Sequence, residues 1–166
     1  MCMKFIAISI LTISFVLLFR PLMDGQEVRV YKHFDDFEHL LHYNNDTIYV
    51  INFWATWCKP CVEELPYFQQ LNRKFKDKKF KMILVSLDFE KNIDSKVKPF
   101  IRDRDLQAKV VLLADPSQYE WIDRVNKDWS GSIPITIIYN NDYYFFKEGS
   151  INFDSLNEII IKNIQQ

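Results

Sequence analysis

Cys58 and Cys61 stand three residues apart in Trp57-Cys58-Lys59-Pro60-Cys61, and the only other cysteine is Cys2. Two thiols at this spacing can be half of a zinc site, a short structural disulfide or a redox dithiol. Zinc wants four ligands, but no later cysteine follows and the three histidines (His33, His39, His42) all lie upstream in one stretch. A disulfide closing so short a loop adds little restraint to the unfolded chain. What remains is thiol–disulfide exchange, in which a thiolate is the nucleophile. Cys58 then reads as the attacking thiol and Cys61, one helical turn on, as the resolving thiol. No metal and no other cofactor is expected.

For that chemistry Cys58 must sit where a strand hands over to a helix. Thr47 to Trp54 is a continuous β-branched and aromatic run, the pattern of a strand buried on both faces. Val62, Leu65, Phe68, Leu71 and Phe75 recur at helical spacing and predict a helix over Lys59 to Lys76. Free N–H groups and the positive end of the helix dipole would stabilise S⁻ at Cys58. Pro60 suits a first turn, where a missing N–H costs nothing. Lys59 places a cation beside Cys58, although an exposed lysine is well screened. The basic run from Arg73 to Lys81 reads as a solvated helix end.

The other elements alternate. A first strand is expected at Val28 to Tyr31, and a helix at His33 to Tyr43 with Phe34, Phe37, Leu40 and Leu41 on one face. Phe80 to Asp88 is a second buried strand, Val97 to Asp105 a helix with Pro99 in its first turn, and Val110 to Ala114 a short strand. Ser117 and Glu120 are spaced as a capping box opening a helix that turns Trp121, Ile122, Val125 and Trp129 inward. Ile135 to Tyr139, the turn Asn140-Asn141-Asp142 and Tyr143 to Phe146 predict a hairpin. Leu156, Ile159, Ile160 and Ile164 define a closing helix. This order implies an α/β sandwich with a mixed sheet.

Composition narrows the classes. The chain has 166 residues with 48% hydrophobic and 26% charged, enough for one packed domain. A formal net charge of −1 argues against a nucleic-acid partner held by phosphate neutralisation. Gly25, Gly131 and Gly149 are the only glycines, which excludes Gly-rich phosphate loops.

At the N-terminus Lys4 precedes an apolar run from Phe5 to Phe19, followed by Arg20 and Pro21. This predicts that residues 1–23 are a signal anchor or signal peptide and that 24–166 form the domain. A helix over 5–19 would span about 22 Å against a hydrocarbon core of roughly 30 Å. Arg20 and Pro21 stand where small cleavage-site residues belong, so an uncleaved anchor is favoured over a cleaved signal. The flanking charges give only a slight positive-inside bias. The expected topology puts the domain outside the cytoplasm, on the periplasmic face of the inner membrane, or free in the periplasm if the signal is cleaved. Cys2 would stay behind or be removed.

Phe53-Trp54-Ala55-Thr56-Trp57-Cys58-Lys59-Pro60-Cys61 resembles the active site of the thioredoxin fold. With Asn52 in front and Glu64-Leu65-Pro66 behind, it is most similar to the TlpA/ResA-like branch of anchored, exported thiol–disulfide oxidoreductases. Ser132-Ile133-Pro134-Ile135-Thr136 resembles the loop that carries the family's cis-proline. The resemblance covers roughly 28–164. It implies a thioredoxin-like three-layer sandwich, a mixed central sheet flanked by helices, with an extra strand and helix inserted before the cis-proline loop. It implies a kink at Pro66, a cis bond before Pro134, a backbone at Ile133 that pairs with an extended client, and a Trp57 that shapes the client surface. The implied function is reduction of disulfides in exported clients, with an upstream thiol donor restoring the dithiol.

The chain departs from that pattern at Asn52, where thioredoxin itself usually buries an aspartate. Asn cannot act as a base, so the proton of Cys61 must go to water or to another group. Glu64 is one candidate, and its plainer reading is a surface helix residue. Two relatives of the fold are disfavoured. Peroxiredoxins need Thr three residues before the peroxidatic cysteine and Pro four before that Thr, and here those positions are Ala55 and Ile51. Copper-binding assembly factors use a three-residue spacer and a distal His, and no His follows Cys61. Oxidase or isomerase activity stays open, because direction is set by reduction potential.

Overall fold

A computed structural model describes residues 26–164 of the chain. The expected anchor, residues 1–23 with the membrane segment 5–19 and Cys2, lies outside the described residues. Among those described, no helix is long and apolar enough to cross a membrane.

The elements run β1 (Arg29–Tyr31), α1 (Phe34–Phe37), β2 (Ile48–Trp54), α2 (Lys59–Phe75), β3 (Phe80–Ser86), α3 (Lys98–Asp103), β4 (Lys109–Leu113), α4 (Gln118–Val125), β5 (Ile135–Tyr139), β6 (Tyr144–Glu148) and α5 (Phe153–Ile164). One six-stranded sheet has the order β1-β4-β3-β2-β5-β6. The first four strands are parallel neighbours, and β5 and β6 join antiparallel. All seven residues of β2 are buried, as befits a central strand with helices on both faces.

The two-residue period of β2 sorts its side chains into two cores. Val50 and Trp54 pack with Phe68 and Leu71 of α2, Ile101 of α3 and Leu156 and Ile160 of α5. Ile51 and Phe53 pack on the opposite face with Phe34, Phe37 and Trp121, and there Phe34 and Trp121 stack at 5.4 Å. The result is the mixed, three-layer α/β sandwich expected, with the extra strand and helix falling between β3 and β5.

Three local expectations are corrected. The helix expected over His33 to Tyr43 is only four α-helical residues, continued by a 3₁₀ turn over Glu38–Leu41. Its apolar residues at 34, 37 and 40 repeat every third position, the period of a 3₁₀ helix, so the tighter turn still buries all of them. The helix expected from Val97 starts at Lys98 and is preceded by a π-helical turn over Ile93–Val97. The capping box does not form: α4 starts after Ser117, whose side chain makes no cap bond. Asp115 organises this corner instead, accepting from the backbone N–H of Ser117 at 2.8 Å and of Phe34 at 2.8 Å.

Candidate active site

The end of β2 becomes a tight turn, with the Cys58 N–H donating to the Ala55 carbonyl at 3.1 Å. Cys58 is the N-cap of α2, and its sulfur accepts from the Cys61 N–H at 3.3 Å. Pro60 lies in the first turn. The strand-to-helix handover thus aims the free N–H groups of α2 at Cys58. Cys58 and Cys61 are joined as a disulfide, with Cα atoms 5.3 Å apart. The two sulfurs are not equivalent toward solvent: Cys58 keeps 6% of its surface exposed and Cys61 none.

The sheet register brings in the second segment. β5 runs antiparallel to β2 with Phe53 opposite Ile135, so the residues just before β5 arrive beside those just after β2. The Ile133–Pro134 bond is cis, and the Ile133 carbonyl oxygen lies 3.7 Å from Cys58 Sγ. The Trp129 indole N–H donates to the Ser132 carbonyl at 2.7 Å, and the Gly149 N–H to the Pro134 carbonyl at 2.8 Å, which fixes the loop from both sides. Trp57 is 63% exposed next to Cys58, so it does not pack inside the turn. Lys59 is also exposed and pairs loosely with Glu63 at 3.8 Å, a contact of little energetic weight.

Asn52 and Glu64 form a buried pair between β2 and α2. Asn52 faces α2, on the same side of β2 as Val50 and Trp54, and donates its amide to Glu64 Oε1 at 2.9 Å. The same amide lies 3.2 Å from both the Ile135 carbonyl and Thr136 Oγ1, while its Oδ1 has no hydrogen-bond partner. Glu64 Oε2 accepts from the Ile151 N–H at 2.9 Å. The plainer reading of Glu64 as a surface residue is therefore corrected: it is 2% exposed. Removal from water pushes its carboxyl up to about 7, against the opposing pull of the Ile151 N–H, the Asn52 amide and Lys147. Glu64 follows Cys61 by three residues, which puts both on one face of α2. A buried carboxylate is thus present after all, supplied by the helix rather than by the strand.

A second buried network was not legible in the sequence. Asp88, just beyond β3, accepts from the backbone N–H of Thr56 at 2.9 Å and from its hydroxyl at 2.6 Å. Among the described residues no cluster of three or more His, Cys, Asp or Glu side chains is arranged to hold a metal.

Residues 34–142 match the AhpC/TSA family. The chain belongs to the AhpC/TSA family. Within it, the chain is 40% identical over 62 residues to the thiol-disulfide oxidoreductase ResA of Bacillus thuringiensis subsp. konkukian, covering 37% of this chain and 34% of that relative. It is 44% identical over 61 residues to ResA of Oceanobacillus iheyensis, covering 37% and 30%. The chain thus matches about a third of the length of these curated relatives. Among solved structures it is similar to StoA from Bacillus subtilis, at 24% identity and a TM-score of 0.52 over 69% of this chain and 83% of that one. It is also similar to a secreted thiol-disulfide isomerase from Corynebacterium glutamicum, at 14% identity and a TM-score of 0.62 over 80% and 75%. These likenesses carry the fold: this AhpC/TSA member has a thioredoxin-like domain.

Proposed function

We propose that the protein is a thiol–disulfide oxidoreductase that reduces disulfides of exported client proteins through Cys58 and Cys61. The observation that carries this reading is the asymmetry of the pair: a reachable sulfur capping the N-terminus of α2, and a fully buried one a turn behind it. In the dithiol form, the Cys58 thiolate attacks one sulfur of a client disulfide and expels the other as thiolate. Cys61 then gives its proton to the Glu64 carboxylate and attacks Cys58 Sγ. That step releases the second client thiolate and leaves the Cys58–Cys61 disulfide, so two electrons have passed to the client. Ile133 offers its backbone to an extended client segment by strand-like pairing, with Pro134 holding the loop at the sulfur. An upstream thiol donor restores the dithiol.

Peroxide reduction is the less supported chemistry. Ala55 is fully buried and carries no hydroxyl, and Ile51 turns into the opposite core. The direction of exchange is tested by equilibrating the Cys58–Cys61 pair against a glutathione or dithiothreitol couple. A reductant is expected to fall near thioredoxin, about −270 mV, and the reading fails if the pair lies near DsbA, about −120 mV.

The location belongs to the same proposal. The apolar run over 5–19 supports an anchor that leaves the domain outside the cytoplasm. Alkaline phosphatase fused after Gln166 is expected to be active, because it acquires its disulfides only after export. A stable but inactive fusion would place the dithiol in the cytosol.

A further inference from the structure

Trp54 pairs with Ser86 at the end of the β2–β3 ladder, so two residues further along each parallel strand Thr56 and Asp88 come level. Asp88 is 2% exposed, yet neither carboxylate oxygen is left bare. Oδ1 accepts from the Thr56 hydroxyl at 2.6 Å, and Oδ2 accepts from the Thr56 N–H and the Ser86 hydroxyl, both at 2.9 Å. The Ser86 hydroxyl in turn accepts the Asp88 N–H at 3.1 Å, which locks the carboxylate against its own strand. Thr56 is the second residue of the turn that ends at Cys58. Its neighbour Trp57 is mostly exposed, so apolar packing does not hold the turn from outside.

We infer that Asp88 is a positioning residue for Cys58: it grips Thr56 through two hydrogen bonds and so holds the turn with the Cys58 sulfur at the Cys61 N–H and the Ile133 carbonyl. Hydrogen bonds to a carboxylate are short, directional and among the stronger ones in proteins. A turn released from them lets the nucleophile drift, and small misplacements cost much in exchange chemistry, where sulfurs must align. The inference rests on Cys58 being the attacking thiol. That premise is read separately, on protein with Thr56 and Asp88 intact, by whether Cys61→Ser captures clients.

Thr56→Val keeps the backbone N–H and removes the hydroxyl, while Thr56→Ser keeps both donors. In the reduced protein, Thr56→Val is expected to slow reduction of a protein disulfide roughly tenfold. It should also raise the pH midpoint of Cys58 alkylation by about half a unit, as the sulfur leaves its place at the helix N-terminus. Thr56→Ser should restore both. Asp88→Asn supplies an independent check by sign. If Asp88 acted only through its charge, removing a carboxylate would favour the thiolate and lower the midpoint, whereas loss of positioning raises it. The inference is overturned if Thr56→Val matches the parent in both readouts, if Thr56→Ser is as impaired as Thr56→Val, or if Asp88→Asn lowers the midpoint.

Discussion

Cys61→Ser should accumulate client proteins as mixed disulfides through Cys58, and Cys58→Ser should accumulate none. Only Cys58 has exposed surface, and only Cys58 caps the helix, so a client sulfur meets this thiolate first. In Cys61→Ser the first exchange proceeds and the second cannot, since a serine hydroxyl does not resolve a disulfide. In Cys58→Ser the remaining thiol is fully buried and has no route to a client. Catalytic turnover should fall to background in both variants, so turnover alone does not separate the roles. The separating measurement is a pull-down with thiols blocked by acid and alkylation, followed by gels without and with reductant. Equal trapping by the two variants would overturn the assignment of roles.

The parts of this site that reside in local pattern were legible in the sequence. Cys58 and Cys61 declare themselves by spacing, and the uninterrupted apolar run of β2 announces a doubly buried strand that must end just before them. Pro134 was legible because its surroundings, Ile133 before and a β-branched run after, carry the resemblance. Glu64 was misread because a charged residue on an otherwise amphipathic helix is usually outward. Its position did hold a signal: residues 61, 64, 65 and 68 trace one buried stripe of α2, and 64 falls inside it. What sequence pattern cannot supply is the partners, Asn52 from β2 and the Ile151 N–H, which is 87 residues away. Asp88 was hidden for the same reason, since its link to Thr56 exists only through the register of β2 against β3. Ser117 shows the converse. Its local pattern predicted a cap that does not form, because Asp115 supplies the corner's hydrogen bonds and serves α1 as well.

The buried pair of Asn52 and Glu64 carries the other large effect, and it should be visible in both stability and rate. An unfolded glutamate titrates near 4.5, and in the folded domain burial raises the Glu64 carboxyl to about 7. Between those values the folded state holds the extra proton, so the stability tied to protonated Glu64 is full below about 4.5 and is lost as pH rises through about 7. A shift of this size is worth on the order of 3 kcal/mol. Glu64→Gln mimics the protonated form. It carries no charge at any pH and keeps the length of the side chain, and its carbonyl can still accept from Ile151. Urea unfolding from pH 4 to pH 8 should therefore show a decline in the parent that is much smaller in Glu64→Gln. In turnover the trend reverses. The proton of Cys61 needs an ionised acceptor, so resolution of the mixed disulfide should speed up through about pH 7 in the parent. In Glu64→Gln it should lose that rise and run roughly a hundredfold slower at pH 8, the scale of positioned acid–base assistance. Stopped-flow capture of the mixed disulfide measures this step directly. A Glu64→Gln variant whose resolution rate follows the parent at every pH, however its stability behaves, would leave Glu64 as a structural residue and send the Cys61 proton to water.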